Sequence, residues 1–285
     1  VNRMELKAFK NEFVTSLSLI YDEAEAQQLF YIALEEVLGW KRVDFIMKTP
    51  FQLDKEKSSE FENVLKELIS EKPIQYIFNK AYFYGLDFYV NENTLIPRQE
   101  TEELVEWILN TIAENPSKTW RILDIGTGSG CIPITIAKMA KNVEVTTLDI
   151  SEKAIEVAKK NAQDLGVSIS FINQSILETE VLDLYDIIVS NPPYVRNLEK
   201  VEIKNNVLIH EPHLALFVED DDPLIFYRKI VSLAENSLKS NGYLFFEINQ
   251  YLGKETLDLF NKHFTNVELR KDFVGNDRMI RGMKV

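Results

Sequence analysis

Arg121-Ile122-Leu123-Asp124-Ile125-Gly126-Thr127-Gly128-Ser129-Gly130 decides the fold. Its first five residues are a short, largely apolar run of the kind buried on both faces of a parallel sheet. The run enters three glycines at alternate positions, and a helical pattern follows over residues 131–140. Glycine tolerates the sharp turn into a helix and lets backbone come close to a ligand. The next predicted strand, residues 143–148, ends on Asp149. An acid at the end of the second strand of a βαβ unit is placed to accept hydrogen bonds from ribose hydroxyls.

The strand–helix rhythm persists. A helix over 151–165 closes on Gly166, and strands are predicted at 169–172 and 185–190. A helix over 223–238, a strand over 242–248, a helix over 252–263 and closing strands at 267–271 and 279–284 follow. Such alternation specifies a doubly wound α/β sheet, a Rossmann-like domain over residues 97–285. A helix running to about residue 112 opens it, with acidic residues in its first turn. Arg98 and Glu100 are expected there as surface or capping residues.

Upstream the pattern is helical. Leu6, Phe9, Phe13 and Leu17 recur at three- and four-residue spacing, as do Leu29, Ile32, Ala33, Val37 and Leu38. Asp22 and Glu25 have the spacing of a capping box, and Gly39 is a C-terminal stop. A short helix around residues 44–47 and a longer one over 57–70 precede Pro73, which breaks the pattern. Residues 1–73 therefore read as a small helical bundle with no catalytic constellation. Tyr76, Phe78, Tyr82, Phe83, Tyr84, Phe88 and Tyr89 crowd the next stretch around Gly85. They predict an aromatic β-hairpin linker over residues 74–96, either a structural joint or a wall of a cleft.

At 285 residues, 45% hydrophobic and 27% charged, the composition suits a globular protein of two domains. No apolar run approaches the ~18–20 residues of a membrane span, so no membrane partner is expected. Residues 1–7 hold no apolar signal-peptide core. A single cysteine, Cys131, excludes an internal disulfide, and the expected compartment is the reducing cytoplasm. Next to the glycine loop, that thiol is expected to pack rather than react. The net charge of −13 argues against binding nucleic acid through its phosphates, so no direct nucleic-acid partner is expected.

Ser190-Asn191-Pro192-Pro193-Tyr194 ends the strand over 185–190. Two prolines fix φ and remove two backbone donors, which leaves carbonyl oxygens, the Asn191 amide and one ring. By itself this is a stiff turn. At the carboxyl end of a strand beside a glycine loop, it suits a planar group bearing N–H donors, with the Asn191 and Pro192 oxygens as acceptors. The glycine spacing is Gly-x-Gly-x-Gly, which is neither the dinucleotide fingerprint nor a P-loop. With Asp149 it points to an adenosine-containing cofactor. His210-Glu211-Pro212-His213 lacks a third ligand, so no metal is expected. Glu219-Asp220-Asp221-Asp222 reads as a solvated loop, and Glu247-Ile248-Asn249-Gln250 as a candidate cleft wall.

These motifs together resemble class I S-adenosylmethionine-dependent methyltransferases that modify amino groups. The resemblance narrows through five segments: Leu95-Ile96-Pro97-Arg98-Gln99-Glu100-Thr101-Glu102, residues 123–130, Ser190-Asn191-Pro192-Pro193-Tyr194-Val195, Glu211-Pro212 with Ala215-Leu216, and residues 271–278. All are similar to the peptide chain release factor glutamine methyltransferase family (PrmC/HemK), as are Pro73-Ile74-Gln75-Tyr76-Ile77 and Phe83-Tyr84-Gly85. That family resemblance implies N5-methylation of the glutamine in the Gly-Gly-Gln motif of class I release factors, with S-adenosylmethionine as donor and S-adenosylhomocysteine as product. Carried over by position, Asp124, Gly126, Thr127, Gly128, Ser129 and Gly130 would bind the methionine and ribose part of the cofactor. Asp149 would hold the ribose, Ile150 would be a further cofactor contact, and Ser175 and Ile176 would meet the adenine. Asn191, Pro192, Pro193 and Tyr194 would bind the glutamine, with Asn191, Pro192 and Tyr194 catalytic, Asn191 touching the cofactor and Tyr194 packing on the amide. Three positions depart from the family pattern: Ser175, where an acid is common, Ile176, where an aromatic residue is, and Asn79, where glycine is. The resemblance further implies a monomer whose N-terminal bundle docks the release factor. The rivals are a nucleic-acid amino-methyltransferase acting on adenine N6 or guanine N2, and a non-catalytic cofactor-binding or NAD-dependent module.

Overall fold

A two-residue strand, β1 (Met4–Glu5), opens the computed structural model, which describes residues 4–285. Val1–Arg3, the start of the bundle predicted over 1–73, lie outside the described residues. Glu5 caps α1 (Leu6–Leu17) by accepting from Ala8 N at 2.7 Å, and Leu6, Phe9, Phe13 and Leu17 are its buried stripe. Asp22 starts α2 (Glu23–Leu38) by accepting from Glu25 N at 2.8 Å, and Gly39 ends it at φ +68°. The Glu25 carboxylate faces Lys204 at 3.7 Å rather than completing a capping box. The short α3 (Arg42–Lys48) leads to β2 (Gln52–Leu53), which pairs antiparallel with β1, a ribbon too short to show as a sequence pattern. Then α4 (Lys55–Ile69) adds Phe61, whose ring lies 5.6 Å from Phe9 and 6.3 Å from Phe30. Each such ring contributes about 1.5–3 kcal/mol through burial.

Ile74 to Ile77 is helical, not extended: α5 (Ile74–Ile77) begins directly after Pro73, whose carbonyl accepts from Tyr76 N and Ile77 N at 2.9 and 3.1 Å. The preset φ of proline suits a helix start, and this overrides the β preference of the aromatic residues. Asn79 adopts φ +50°, so the glycine-like turn survives with the residue that best tolerates it. The hairpin itself is β3 (Ala81–Phe83) and β4 (Leu86–Phe88), joined at Tyr84 and Gly85 with φ +50° and +75°.

The chain divides into two compact units, one made of the chain up to Asn79 with Lys204–His210, the other of Lys80–Ile203 with Glu211–Val285. The hairpin thus belongs to the second unit, where Phe83 and Phe88 are buried with Trp107. The division at 79 and the return of 204–210 both differ from the predicted 1–73, 74–96 and 97–285.

The second unit continues with α6 (Gln99–Ala113), β5 (Trp120–Ile125), α7 (Cys131–Met139), β6 (Val143–Asp149), α8 (Glu152–Asp164), β7 (Ser170–Asn173) and β8 (Tyr185–Ser190). After the short β9 (Val195–Arg196), α9 (Asn205–His210) returns to the first unit, where a His210 ring nitrogen lies 3.1 Å from Ser70 O. β10 (Phe217–Val218), α10 (Ile225–Ser237), β11 (Leu238–Glu247), α11 (Gly253–His263), β12 (Thr265–Lys271) and β13 (Asp277–Met283) complete the chain.

Seven strands form one sheet in the order β12-β13-β11-β8-β5-β6-β7, with β13 antiparallel to both neighbours and the other pairs parallel. Alternation along the strands sorts the core onto two faces. Ile122 and Phe245 pack on one side with Trp107 and Ile134, while Leu123 and Phe246 pack on the other with Tyr227 and Phe260. The sheet is doubly wound, and strand order reverses beside β5, which has β6 on one side and β8 on the other.

Candidate active site

Ligands in such sheets sit beyond the carboxyl ends of the strands at the reversal. A cavity of about 340 Å³ lies there, within the second unit. Its walls include residues 92–95, Pro97 and Arg98, residues 125–129 of the glycine loop, Asp149 and Ile150, residues 174–177, the 190–193 loop, and Pro212, Leu214 and Ala215.

The glycine loop bends through Gly126 at φ +92° and Gly128 at φ +51°, and Gly126 N and Gly130 N donate to Leu148 O and Thr127 O, each at 2.8 Å. A side chain on Gly126 would stand 3.7 Å from Asn191 O, so the glycine loop and the proline loop face each other closely. Ser190 reinforces that placement by donating from Oγ to Ile125 O at 2.7 Å. Asp149 accepts from Gly128 N at 3.0 Å and from Ser151 N at 2.8 Å. Burial pushes its carboxyl up from the ordinary value, while these N–H groups favour its charge. Thr127, Ser129, Ile150, Ser175, Ile176, Asn191, Pro192 and Pro193 all line the same cavity.

Three predicted contacts do not reach the cavity wall. Gly130 faces the packed interior, where an added Cβ would lie 2.6 Å from Ile134 Cδ1 and 3.1 Å from Ala158 Cβ. Its glycine is required by helix packing. Asp124 sits behind the loop, accepting from Thr147 Oγ1 at 2.6 Å, and Thr147 in turn pairs with Thr127 Oγ1 at 2.6 Å. Burial pushes the Asp124 carboxyl up to about 8, partly countered by the Thr147 hydroxyl. Tyr194, expected to lie on the substrate amide, instead donates its hydroxyl to Glu247 Oε1 at 2.9 Å, with Arg278 Nη1 3.4 Å away. The hydroxyl is drawn by a buried carboxylate on the neighbouring strand.

Two groups escaped the sequence reading. Glu211, read there as part of a failed metal motif, accepts from Arg98 Nη2 at 2.6 Å and from Ile96 N at 3.0 Å. The pair joins two stretches of cavity wall 113 residues apart. Arg98 is the only lysine or arginine on the wall among the described residues, and Glu211 neutralises it. Asn161 donates to Ser129 O at 2.8 Å and Tyr89 O at 2.9 Å, pinning the glycine loop to the chain after the hairpin. Only the paired motifs 95–102 and 211–216 hinted at the first, and nothing local marked the second. Among the described residues no group of His, Cys, Asp and Glu is arranged to hold a metal ion. None of their helices is long and apolar enough to cross a membrane.

A glycine turn facing a proline-stiffened acceptor loop across the strand ends, with a strand-end acid beside them, is the site plan of a class I methyltransferase. Residues 99–216 match the model of the methyltransferase small domain, and residues 13–78 that of the PrmC N-terminal domain. The release factor glutamine methyltransferase of Flavobacterium psychrophilum is 55% identical over 98% of this chain and 99% of its own length. That of Bacteroides thetaiotaomicron is 42% identical over 93% and 95%. A solved Thermus thermophilus 16S rRNA N2 G1207 methyltransferase, in complex with AdoMet and guanosine, shares the fold. Its TM-score is 0.51 at 17% identity, over 72% of this chain and 50% of that one. This chain belongs to the release factor glutamine methyltransferase family.

Proposed function

We propose that this chain transfers a methyl group from S-adenosylmethionine to the side-chain amide nitrogen, N5, of the glutamine in the Gly-Gly-Gln motif of class I peptide chain release factors, releasing S-adenosylhomocysteine. The observation that carries this reading is the close approach of the Asn191 backbone to Gly126 on one cavity. Cofactor and acceptor would meet at that point. The residues fit the cofactor: the open glycine backbone would take its methionine and ribose part, Asp149 its ribose hydroxyls, and Ser175 and Ile176 its base, with Ile150 on the same wall. When bound, it supplies an electrophilic methyl group on a sulfonium, and a wall whose arginine is neutralised by Glu211 does not repel that charge.

An amide nitrogen is a poor nucleophile because its lone pair is delocalised. The Asn191 side-chain oxygen and the Pro192 carbonyl accept its two N–H bonds and aim the nitrogen. Such orientation is worth up to ~7–11 kcal/mol in well-aligned systems. Acceptors that strengthen as the nitrogen becomes positive favour the transition state over the ground state. No side chain in the loop 190–194 is a strong base, so the proton passes to water. The N-terminal bundle, whose residues 13–78 match the PrmC N-terminal domain, docks the folded protein substrate in this reading.

Radiolabel transfer tests the reading, offering a release factor, its variant with the Gly-Gly-Gln glutamine changed to alanine, and bulk tRNA, rRNA and DNA. Label on the native factor alone is expected; label on nucleic acid alone overturns the proposal. Asn191→Ala should lower transfer by about 10²–10³-fold with cofactor affinity intact.

A further inference from the structure

Glu247 ends β11 beside the acceptor loop, because Phe246 and Ser190 are register partners. Its side chain is buried, with the residue 2% exposed, and both carboxylate oxygens accept hydroxyls. Tyr194 donates to Oε1 at 2.9 Å and Thr101, from the cavity wall, to Oε2 at 2.6 Å. Arg278 supplies the nearby positive charge, its Nη1 3.4 Å from the Tyr194 hydroxyl and its Nε 2.9 Å from Asp272. Two residues further on, Asn249 donates to Tyr194 O at 2.8 Å. Tyr194 is thus held at its ring end and at its backbone, immediately after the two prolines. A stiff segment anchored at one end transmits that anchor to the other.

We propose that Glu247 is a positioning residue that sets the Asn191–Pro192 acceptors through the hydroxyl of Tyr194. The proposal rests on the reading of Asn191 and Pro192 as the amide acceptors. On this view Tyr194 works through its hydroxyl and not by stacking on the substrate.

The test compares Tyr194→Phe, Glu247→Ala, their combination and Glu247→Gln in the full chain. Tyr194→Phe removes only the hydroxyl, and it decides alone if Glu247→Ala does not fold. Tyr194→Phe and Glu247→Ala should each lower kcat by about 10–100-fold, the cost of a small misplacement, with the Kd for S-adenosylmethionine changed less than about twofold. The double variant should be no slower than the slower single one, because the residues act as one unit. Glu247→Gln, which keeps an acceptor for Tyr194, should stay within about threefold of the native kcat. A native kcat in Tyr194→Phe, multiplying losses, or cofactor affinity falling in step with kcat overturns the proposal. Amide exchange over residues 188–197 needs no acceptor substrate, and in Tyr194→Phe it should run about tenfold faster. If the native chain does not label a release factor, the proposed function fails, while unchanged exchange in that variant sinks the positioning role.

Discussion

Asp124 and Asp186 are both buried carboxylates on neighbouring strands of the sheet, yet the two ends of the sheet treat them oppositely. Asp186, at the start of β8, meets Lys118 at 2.9 Å, Lys239 at 3.0 Å and Arg121 N at 2.9 Å. Burial raises its carboxyl, but these partners outweigh burial and hold it below the ordinary range. Asp124, near the end of β5, has a hydroxyl donor and no cation, and burial pushes it up to about 8. The amino end of the sheet spends its lysines on charge neutralisation. The carboxyl end leaves its acids without lysines, and its one wall arginine is already paired with Glu211. Among the described residues, no unpaired cation on the cavity wall therefore opposes the proposed cationic cofactor, while the raised Asp124 carboxyl is uncharged at neutral pH.

Substitutions that separate binding from folding sharpen this contrast. The largest effect is expected from Asp149→Asn: S-adenosylmethionine affinity should fall by about 1.5–3 kcal/mol, the worth of a charged hydrogen bond. Asparagine still accepts one of the Gly128 and Ser151 N–H bonds, so stability should fall by no more than about 1 kcal/mol, and calorimetric titration with urea unfolding checks both. Asp186→Asn should show the reverse, about 1–3 kcal/mol of lost stability with cofactor affinity preserved, since its lysines are left uncompensated. Equal effects of the two variants on binding would break the comparison.

The smallest effect is a slope against pH. Asp124 ionises near the ordinary 3.8 when unfolded and only at about 8 when folded. Between these values the unfolded chain has lost a proton that the native chain keeps, so stability falls as pH rises. Asp124→Asn removes that slope. Its advantage over the native chain in urea should be greater at pH 8 than at pH 5, and a constant difference would count against the burial argument.

Much of the site was legible because it is built from strand ends. The Gly126–Thr127–Gly128 turn, Asp149 and the Asn191–Pro193 loop were each visible as a local pattern, and the sheet brings them to one cavity. Gly130 and Asp124 show the limit: sequence places them in the loop but not which way they face. Ile134 and Ala158 fill the space in front of Gly130, and the Thr147 hydroxyl lies between Asp124 and Thr127. The ring of Tyr194 suits an amide, whereas its hydroxyl is bound to a carboxylate 53 residues away.

By itself the sequence determined the alternating α/β architecture, the helical bundle, the glycine turn and the proline-stiffened loop. Each depends on φ preferences and on apolar spacing within about one element, which short stretches encode. Only the tertiary structure decided the Arg98–Glu211 clip, the Asn161 bridge, the Tyr194–Glu247 anchor and the return of 204–210 to the first unit. Those contacts join residues far apart in the chain. No periodicity records them, because a polar side chain finds its partner only after the core has packed and excluded water.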